Sequence, residues 1–276
     1  MKTHTYRSVL TIAGSDSGGG AGIQADLKTF SALGCFGTSA ITAITAQNTM
    51  GVLCIHPVPP EMIGAQITAV MEDIRPLAVK IGMVYSAEQA AVVRDVLAAY
   101  PGLPVVLDPV MVASSGERLA QTLFWEELFP ITSLVTPNLD EASVLCGFPV
   151  REIKEMHKAA YALLKTGARS VLIKGGHLPG NRIRDLFIDG EGNEAVFESD
   201  RIDSTNLHGT GCTLSAAIAA GLACGLALPE AIAQAREYVL RAIESGKHIL
   251  TGHGQGPLNH FWAPLALRQS TLGATR

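Results

Sequence analysis

The sequence predicts an α/β fold in which a mostly parallel sheet is covered by helices on both faces. Two observations predict this class. Short apolar, β-branched segments alternate with segments whose apolar residues recur at helical spacing. Polar side chains directly follow several of the strand-like segments. In such sheets, ligands bind beyond the carboxyl ends of the parallel strands. The crossovers between these strands are expected to be right-handed.

The predicted strands are short and bounded by turn residues. They are Ser8–Ala13, Phe36–Ala46, Val52–Ile55, Ala78–Met83, Val105–Leu107, Leu134–Thr136 and Ser170–Ile173. Two further segments, Leu186–Ile188 and Ala195–Phe197, flank the turn sequence Asp-Gly-Glu-Gly-Asn and predict a β-hairpin near the end of the sheet.

Helices are predicted where apolar residues recur every three to four positions. The first follows the glycine-rich loop 14–22, places Ile23, Leu27 and Phe30 on one face, and closes at Gly34. The others are Pro59–Asp73, Ala87–Ala99, Leu119–Phe129, a short helix carrying Glu141, Ile153–Thr166, Thr213–Ala223 and Pro229–Lys247.

The length allows one or two domains, and a single domain, residues 1–276, is predicted because no repeat, low-complexity stretch or linker interrupts the chain. A large core is expected, because 47% of the residues are hydrophobic. The net charge of −4 is spread along the chain, which provides neither a basic stripe for nucleic acid nor a polybasic membrane patch. The five cysteines contain no C-x-x-C pair, so no disulfide framework or zinc site is expected, and a reducing cytoplasm fits best.

Two apolar runs could suggest a membrane or a secretory pathway, and neither is long enough. Cys212–Leu228 carries no charge but falls short of the roughly 20 residues that span a bilayer, so a buried helix is expected. Val9–Ala13 is too short for the apolar region of a signal peptide.

The stretch Asn206–Thr213, before an Ala-rich helix, suggests an anion site. Gly209 and Gly211 allow a tight turn, and the N–H groups of Gly209, Thr210, Gly211 and Cys212 would point out of a helix N-terminus. Cys212 would lie in that positive field, which lowers a thiol pKa and favours the thiolate. An anion cradle beside a candidate base suggests phosphoryl transfer, although these residues alone also fit a glycine-rich turn over a packed cysteine.

Familiar nucleotide and hydrolase motifs are absent or incomplete. Gly14 and Gly19 have P-loop spacing, but Gly20 follows where the P-loop needs Lys. The near-match Gly-Ala-Gly-Ile-Gln-Ala from Gly20 lacks the acidic residue of a dinucleotide site, since no Asp or Glu occurs between Asp26 and Glu61. No His-Glu-x-x-His and no Gly-x-Ser-x-Gly sequence anchors a protease or an esterase.

Polar residues end five of the predicted strands, and together they predict a ligand site at one edge of the sheet. They are Asp16, Gln47, Asp108, Asn138 and Lys174.

The sequence also resembles a known family. The stretch Leu10–Lys28, with Gly-Ser-Asp-Ser-Gly-Gly-Gly-Ala-Gly, is similar to the N-terminal signature of hydroxymethylpyrimidine/phosphomethylpyrimidine kinases. The similarity continues through Ala-Gln-Asn-Thr, Lys-Ile-Gly-Met, Leu-Asp-Pro-Val-Met, Thr-Pro-Asn-Leu-Asp-Glu, Lys-Gly-Gly-His and His-Gly-Thr-Gly-Cys. It covers about residues 8–260 and implies the three-layer α/β/α ribokinase-like fold. The tail 263–276 lies outside it and is expected to be mobile.

The resemblance implies an ATP-dependent kinase of thiamine biosynthesis that uses Mg²⁺. It assigns Gly209, Thr210, Gly211 and Cys212 to the anion hole, with the Cys212 thiolate as candidate base. Four further residues would position Mg²⁺ and the phosphates, partly through water. They are Asn138, Glu141, Asp108 and the cation Lys174, of which Asp108 could alternatively only cap its strand and Lys174 only be a solvated loop residue.

The resemblance also implies which residues contact the substrate. A side-chain amide at Gln47 offers a donor and an acceptor to an aminopyrimidine edge. Gly14, Met83 and Val110 match positions near the ring, although the last two could be plain core. Asp26 could line the same pocket or only face solvent.

Several alternatives and expectations stay open on the sequence. Pyridoxal/pyridoxine kinase of the same superfamily is the main alternative function, and a non-catalytic nucleotide-binding regulator is another. The resemblance suggests a homodimer. The segments Ala113–Glu117 and Leu178–Arg184 are candidates for a lid.

Overall fold

The computed structural model describes residues 3–111 and 124–271. Its strands are β1 (His4–Tyr6), β2 (Ser8–Asp16), β3 (Phe36–Asn48), β4 (Gly51–Pro57), β5 (Ala78–Ile81), β6 (Val105–Leu107), β7 (Leu134–Val135), β8 (Ser170–Ile173), β9 (Arg182–Asp189), β10 (Glu194–Asp200) and β11 (Gln269–Thr271). Its α-helices are α1 (Gly22–Ala32), α2 (Pro60–Asp73), α3 (Ala87–Ala98), α4 (Leu139–Cys146), α5 (Ile153–Lys165), α6 (Thr210–Ala223) and α7 (Leu228–Gly246).

A central sheet of nine strands has the order β10-β9-β8-β7-β6-β5-β2-β3-β4 within the described part of the chain. Its six inner strands, β2, β3 and β5 to β8, run parallel. β4 at one edge and the β9–β10 hairpin at the other pair antiparallel. The predicted hairpin and the predicted mostly parallel sheet are therefore confirmed, with antiparallel strands only at the edges.

Helices cover both faces of this sheet, because alternate residues of each inner strand point to opposite sides. In β2, Val9 packs into a core with α1, α6 and α7, while Leu10 and Ile12 pack into a second core with α2 to α5. The three-layer α/β/α architecture is thus confirmed. Among the described residues, no helix is long and apolar enough to cross a membrane.

One predicted helix has a different form where it is described. Of the predicted segment Leu119–Phe129, the structure describes only the end, and there Trp125–Ile131 forms a 3₁₀-helix. Pro130 lies inside it, and since a proline has no N–H to donate, a regular α-helix cannot continue through this position.

A short strand lies in the described part of the C-terminal tail, for which mobility stays a prediction. β11 pairs antiparallel with β1 to form a small second sheet. The backbone of Arg268 also donates to the Gly34 carbonyl at 2.7 Å and accepts from the Arg7 N–H at 3.0 Å. Strands of three residues show no periodicity, so the sequence pattern could not reveal this pairing. Residues 272–276 lie outside the described part.

Candidate active site

A cleft of about 810 Å³ opens along the carboxyl ends of the parallel strands. This volume is large enough for a drug-sized ligand or a nucleotide. All but one of the residues predicted for the site line it. They are Gly14, Gln47, Met83, Asp108, Val110, Asn138, Glu141, Lys174, Gly209, Thr210, Gly211 and Cys212. The five strand ends that the sequence singled out therefore meet at one edge of the sheet.

The N-terminus of α6 opens into the middle of this cleft. The helix begins at Thr210, three residues earlier than predicted, because Gly209 adopts a left-handed conformation with φ 84° and serves as its N-cap. No side chain caps the helix, so the N–H groups of Gly211 and Cys212 remain available to an anion. A β-carbon at Gly209 would also overlap the carbonyl oxygen of Gly20, so only glycine fits this contact.

Lys174 and Asp108 face the open end of α6. Lys174 Nζ lies 2.7 Å from Asp108 Oδ1 and 3.9 Å from Glu141 Oε2. A β-carbon at Gly211 would stand only 3.2 Å from Lys174 Nζ, so the glycine lets the helix approach the cation closely. Burial alone would lower the pKa of Lys174, but the two carboxylates raise it above its ordinary value. A permanent cation therefore lies beside the anion cradle.

Asn138 and Glu141 begin helix α4 as a capping box. The Asn138 side chain accepts from the Glu141 N–H at 2.9 Å, and Glu141 Oε2 accepts from the Asn138 N–H at 2.7 Å. Burial raises the pKa of Glu141 to about 7, against the lowering effect of Lys174. Both residues thus have a structural role that the sequence did not predict, while Glu141 also presents its carboxyl group to the cleft.

The predicted thiolate of Cys212 is not supported. Burial raises the pKa of the Cys212 thiol to about 11, and the carboxylates of Asp26 and Asp108 act in the same direction, although Lys80 and the Gly22 N–H favour the thiolate. The partial charge of about half a unit at a helix N-terminus is too small to offset desolvation here. The prediction of a lowered pKa was therefore wrong for the protein without ligands.

Asp26 is the predicted site residue that does not line the cleft. It is completely buried, and Oδ2 pairs with Lys80 Nζ at 2.9 Å and accepts from Thr11 Oγ1 at 2.6 Å. Lys80 itself reaches the cleft from the middle of β5, and Asp26 raises its pKa against the effect of burial. Asp26 thus pairs with Lys80, which lines the cleft, and does not line the cleft itself. A lysine inside the apolar run Ala-Val-Lys-Ile is the signal that could have identified this pair.

The opposite end of the cleft is formed by less constrained side chains. Gln47 lies at a β-bulge between β3 and β4, is half-buried, and accepts from Thr45 Oγ1 at 3.1 Å. Met83 and Val110 pack together beside it in a small apolar cluster. A β-carbon at Gly14 would come within 2.8 Å of Met83 Sδ, so this glycine makes room for the methionine. An amide beside an apolar floor suits a flat, polar-edged ring.

The comparisons with known proteins agree with this geometry. The family model of phosphomethylpyrimidine kinase matches residues 16–259. The chain belongs to this family. The hydroxymethylpyrimidine/phosphomethylpyrimidine kinase of Rhizobium meliloti (strain 1021) is 51% identical over 257 residues, which cover 91% of this chain and 96% of that protein.

The chain also shares its fold with solved structures of ribokinase-like kinases. The phosphomethylpyrimidine kinase of Clostridium difficile 630 is 42% identical with a TM-score of 0.75, covering 86% of this chain and 99% of that one. The pyridoxal kinase of Staphylococcus aureus, in complex with AMP-PCP and pyridoxal, is 33% identical with a TM-score of 0.83, covering 97% and 99%.

Sequence reasoning missed two sets of contacts in the site, although it placed Asp16 of the first set at this edge of the sheet. The first fixes the glycine-rich loop after β2. The Asp16 carboxylate accepts from the N–H groups of Gly18, Gly20 and Ala21 at 2.7 to 3.1 Å and lies 3.0 Å from His208 Nε2. These contacts, against the effect of burial, lower the pKa of Asp16. The loop is thereby tied to the residue directly before the anion cradle.

The second set lies on the far wall of the cleft, beyond α6. Arg236 of α7 pairs with the largely buried Asp185 at 2.7 Å, and Asp185 also accepts from the Gly175 N–H at 2.7 Å. Both residues line the cleft with the apolar side chains of Val239 and Ile243. These apolar side chains and the Arg236–Asp185 ion pair extend the cleft, which at about 810 Å³ is larger than a single pyrimidine ring requires.

The two lid candidates have different outcomes. Ala113–Glu117 lies outside the described residues. In Leu178–Arg184, the chain first turns and then enters β9 at Arg182. The Arg201 guanidinium donates to the carbonyl groups of Gly176, Leu178 and Gly180 at 2.7 to 3.0 Å, so it ties this turn to the neighbouring hairpin.

Proposed function

We propose that this chain is a bifunctional kinase of thiamine diphosphate biosynthesis. It transfers the γ-phosphoryl group of ATP to the 5-hydroxymethyl group of 4-amino-5-hydroxymethyl-2-methylpyrimidine, and then a second phosphoryl group to the monophosphate. One observation carries the proposal: the open N-terminus of α6, the cation Lys174 and the carboxylate Asp108 converge within one cleft, since a β-carbon at Gly211 would lie 3.2 Å from Lys174 Nζ and 3.6 Å from Asp108 Oδ2.

Catalysis by this arrangement is positioning and charge stabilisation. Phosphoryl transfer spreads negative charge over the oxygens of the moving group, with little covalent chemistry left for the protein. Backbone N–H groups of Gly211 and Cys212 would receive those oxygens, and Lys174 would offset their charge. The long cleft accommodates both partners, with the nucleotide toward Arg236 and Val239 and the pyrimidine toward Gln47.

The residues present fit a Mg²⁺ ion that is held mainly by phosphates. Mg²⁺ is usually bound through one or two carboxylates, water and substrate oxygens. Within the described ranges, no cluster of three or more His, Cys, Asp or Glu side chains forms a protein cage for a metal. Asp108 and Glu141, aided by Asn138, would hold the ion, in part through water. When bound, the ion would supply charge neutralisation for the phosphates.

Cys212 remains the candidate group for the alcohol proton. An attacking hydroxyl must lose a proton, whereas a phosphate acceptor is already largely ionised near neutral pH. With a pKa of about 11, the free Cys212 is a thiol at neutral pH. A base role therefore requires the cation Lys80 and the Gly22 N–H to favour the thiolate over the opposing effect of burial, and otherwise Cys212 serves the anion hole through its backbone N–H.

Gln47 supports a pyrimidine over pyridoxal. The amide of a glutamine can pair with a ring nitrogen and an exocyclic amine at the same time, and Gln47 faces the cleft beside Met83. Pyridoxal kinase is the second candidate, because the Staphylococcus aureus enzyme that shares this fold binds pyridoxal. The curated relative at 51% identity is a pyrimidine kinase, which favours the first candidate.

We further propose that the chain acts as a cytoplasmic homodimer with one kinase domain per copy. The β3–β4 edge of the sheet exposes a group of large apolar side chains, including Ile44, Met50 and Leu53, the last with 79% of its surface exposed. Such a patch is typical of an interface between subunits. Sedimentation of the purified chain at micromolar concentration would give the dimer mass, and a monomer would contradict this part of the proposal.

The function is tested by following ADP release from Mg·ATP in three separate assays. The acceptors are hydroxymethylpyrimidine, its monophosphate and pyridoxal. We expect turnover with both pyrimidines and a rate with pyridoxal at least about tenfold lower. Turnover with pyridoxal alone would establish the second candidate. ATP binding without turnover on any acceptor would indicate a nucleotide-binding regulator.

A further inference from the structure

Two cysteines far apart in sequence meet on the side of the fold away from the cleft's chemistry. Cys35 follows the turn between α1 and β3, and Cys224 directly follows α6. Their Sγ atoms lie 3.7 Å apart, and both are free thiols. A disulfide has an S–S distance of about 2.05 Å, so a shift of less than about 2 Å would join them.

The surroundings of the pair favour reaction at Cys224. Cys224 is half-buried and borders a small surface depression that Arg268 also lines, whereas Cys35 is completely buried. Arg7 Nη1 donates to the carbonyl of the neighbouring Ala223 at 3.1 Å. The hydrogen bond with Cys35, together with Arg268 and Arg7, lowers the pKa of Cys224 to about 6 despite partial burial. The thiolate form therefore predominates at neutral pH.

We propose that Cys35 and Cys224 form a peroxide-sensitive dithiol site, in which Cys224 is the reacting thiol and Cys35 the resolving thiol. The Cys224 thiolate attacks one oxygen of hydrogen peroxide, which gives the sulfenic acid and hydroxide. Cys35 Sγ then attacks the Cys224 sulfur, and its proton leaves with the sulfenic oxygen as water. One disulfide forms, two sulfurs are oxidised, and one peroxide is reduced.

The other cysteines lack this arrangement. Cys54 is exposed on the edge strand β4, and no thiol or cation is recorded beside it among the described residues. Burial raises the pKa of Cys146 to about 11, and its Sγ contacts only the Ala159 carbonyl among the recorded hydrogen bonds. Cys212 also has a raised pKa. Only the Cys35–Cys224 site combines an accessible low-pKa thiol with a second thiol within contact distance.

The disulfide would link the end of α6 to the start of β3, across 189 residues of sequence. Closing so long a loop restricts the unfolded chain strongly. We therefore expect oxidation to raise the melting temperature by about 5 °C for a chain of this size. Because α6 carries the anion cradle at its other end, kinase assays before and after oxidation would also report any shift of the helix.

The first measurement is the pH dependence of alkylation by iodoacetamide on the reduced protein. The Cys224 rate should have its midpoint near pH 6, as its pKa indicates. Cys54, exposed on β4, is the internal reference in the same experiment. The midpoint is more diagnostic than the absolute rate, because a thiolate of low pKa is intrinsically less nucleophilic. Coinciding midpoints for the two cysteines would contradict the proposal.

The second measurement is a peptide map, without reduction, after graded hydrogen peroxide. Trypsin should release residues 29–80, since Pro76 protects Arg75, and residues 202–236. Because these peptides also hold Cys54 and Cys212, fragmentation must assign the bond to Cys35 and Cys224. We expect this linkage to form before any other cysteine is oxidised, and dithiothreitol to reverse it.

Three variants separate the proposal from a general sensitivity to oxidation. Cys35→Ser should accumulate a sulfenic acid at Cys224 that dimedone traps. Cys224→Ser should leave Cys35 reduced at the same dose, and the control Cys54→Ser should form the cross-link as the unchanged chain does. Melting curves of the reduced variants confirm folding. Oxidation of Cys54 before Cys224, or a Cys224 sulfenic acid that persists in the unchanged chain, would overturn the proposal.

Discussion

The two ends of the cleft are built differently. At the end proposed for phosphoryl transfer, the largely buried carboxylates of Asp108 and Glu141 both lie within 4 Å of Lys174 Nζ, and glycine allows α6 to approach them. At the end proposed for the pyrimidine, Gln47 is half-buried and its side chain makes one recorded hydrogen bond of 3.1 Å. Burial and mutual pairing fix the first set of groups, whereas few contacts restrict the second.

This difference indicates how one fold serves related reactions. A charge cluster that is satisfied within the protein cannot be altered singly without leaving a buried charge unpaired. A lightly held amide such as Gln47 can be exchanged at little cost to folding. The pyridoxal kinase of Staphylococcus aureus shares the fold at 33% identity. Variants at the two ends should therefore differ in whether acceptor choice changes.

The largest effect is expected for Lys174→Met at the transfer end. The change removes the cation beside the anion cradle and leaves Asp108 buried without its 2.7 Å partner. We expect kcat to fall about 10³-fold with hydroxymethylpyrimidine and with its monophosphate alike, because both reactions develop the same phosphoryl charge. ADP release in separate assays measures both values.

The matched control for this variant is Lys165→Met at the exposed end of α5, which should leave both rates unchanged. Circular dichroism melting must show that Lys174→Met still folds at the assay temperature. If its kcat fell less than about tenfold, or fell for one acceptor only, the transfer end would not act as the common unit described above.

The second effect concerns Cys212 and divides the two steps. If Cys212 is the base toward the alcohol, Cys212→Ala should slow the first step about 10²-fold and the second less than about tenfold. Since its pKa is about 11, the thiolate fraction rises with pH, so the first-step rate should climb nearly tenfold per unit above pH 7 and be lost as pH falls.

Cys54→Ala, an exposed cysteine outside the cleft, is the control for this pair of assays. Little loss in either step, together with a flat pH profile for the first, would assign Cys212 to the anion hole alone, because alanine keeps the backbone N–H.

How far the sequence predicts this molecule depends on whether a feature is periodic, local or tertiary. Strand Val105–Leu107 is predicted to the residue, because an apolar run between turns needs no distant information. The strand ends carrying Asp108 and Lys174 follow from the parallel sheet, so their convergence could also be predicted. The raised pKa of Cys212 could not, since desolvation depends on neighbours such as Asp26 that lie almost 190 residues away in sequence.

The pairing of Asp26 with Lys80 illustrates the same limit. The sequence shows that Asp26 follows the glycine-rich loop and that Lys80 lies in a strand, but no local pattern indicates that the two side chains form an ion pair. Likewise, the contact of Cys35 with Cys224 depends on how α6 packs against the start of β3. The residues assigned by family resemblance line the cleft with the exception of Asp26, whose buried side chain pairs with Lys80.

A moderate effect is expected for Gln47→Leu at the acceptor end. The variant keeps the size of the side chain and loses both hydrogen-bonding groups, so KM for hydroxymethylpyrimidine should rise about 10- to 100-fold. The rate with pyridoxal should change less than about threefold, because a different ring edge does not need this amide. Steady-state kinetics with both acceptors measures the ratio, and Gln234→Leu on the exposed face of α7 is the control.

For Gln47→Leu, the ratio between acceptors decides the outcome. A parallel loss with pyridoxal would show that Gln47 shapes the site in general, and the contrast between a fixed and a variable end would then fail. An unchanged KM for the pyrimidine would remove Gln47 from substrate recognition altogether.

The smallest effect is expected for Asn138→Ala, which tests whether the transfer end is also a structural unit. The variant removes the 2.9 Å hydrogen bond to the Glu141 N–H and with it half of the capping box of α4. Loss of such a cap costs about 1 kcal/mol, which lowers the melting temperature by about 2 °C in a chain of this size. Asn138→Asp, which keeps an acceptor oxygen, should restore most of the stability. If Asn138 also helps to hold Mg²⁺, Asn138→Ala should in addition raise the Mg²⁺ concentration needed for half-maximal ADP release. A purely structural cap would leave that concentration unchanged at temperatures where the variant is folded.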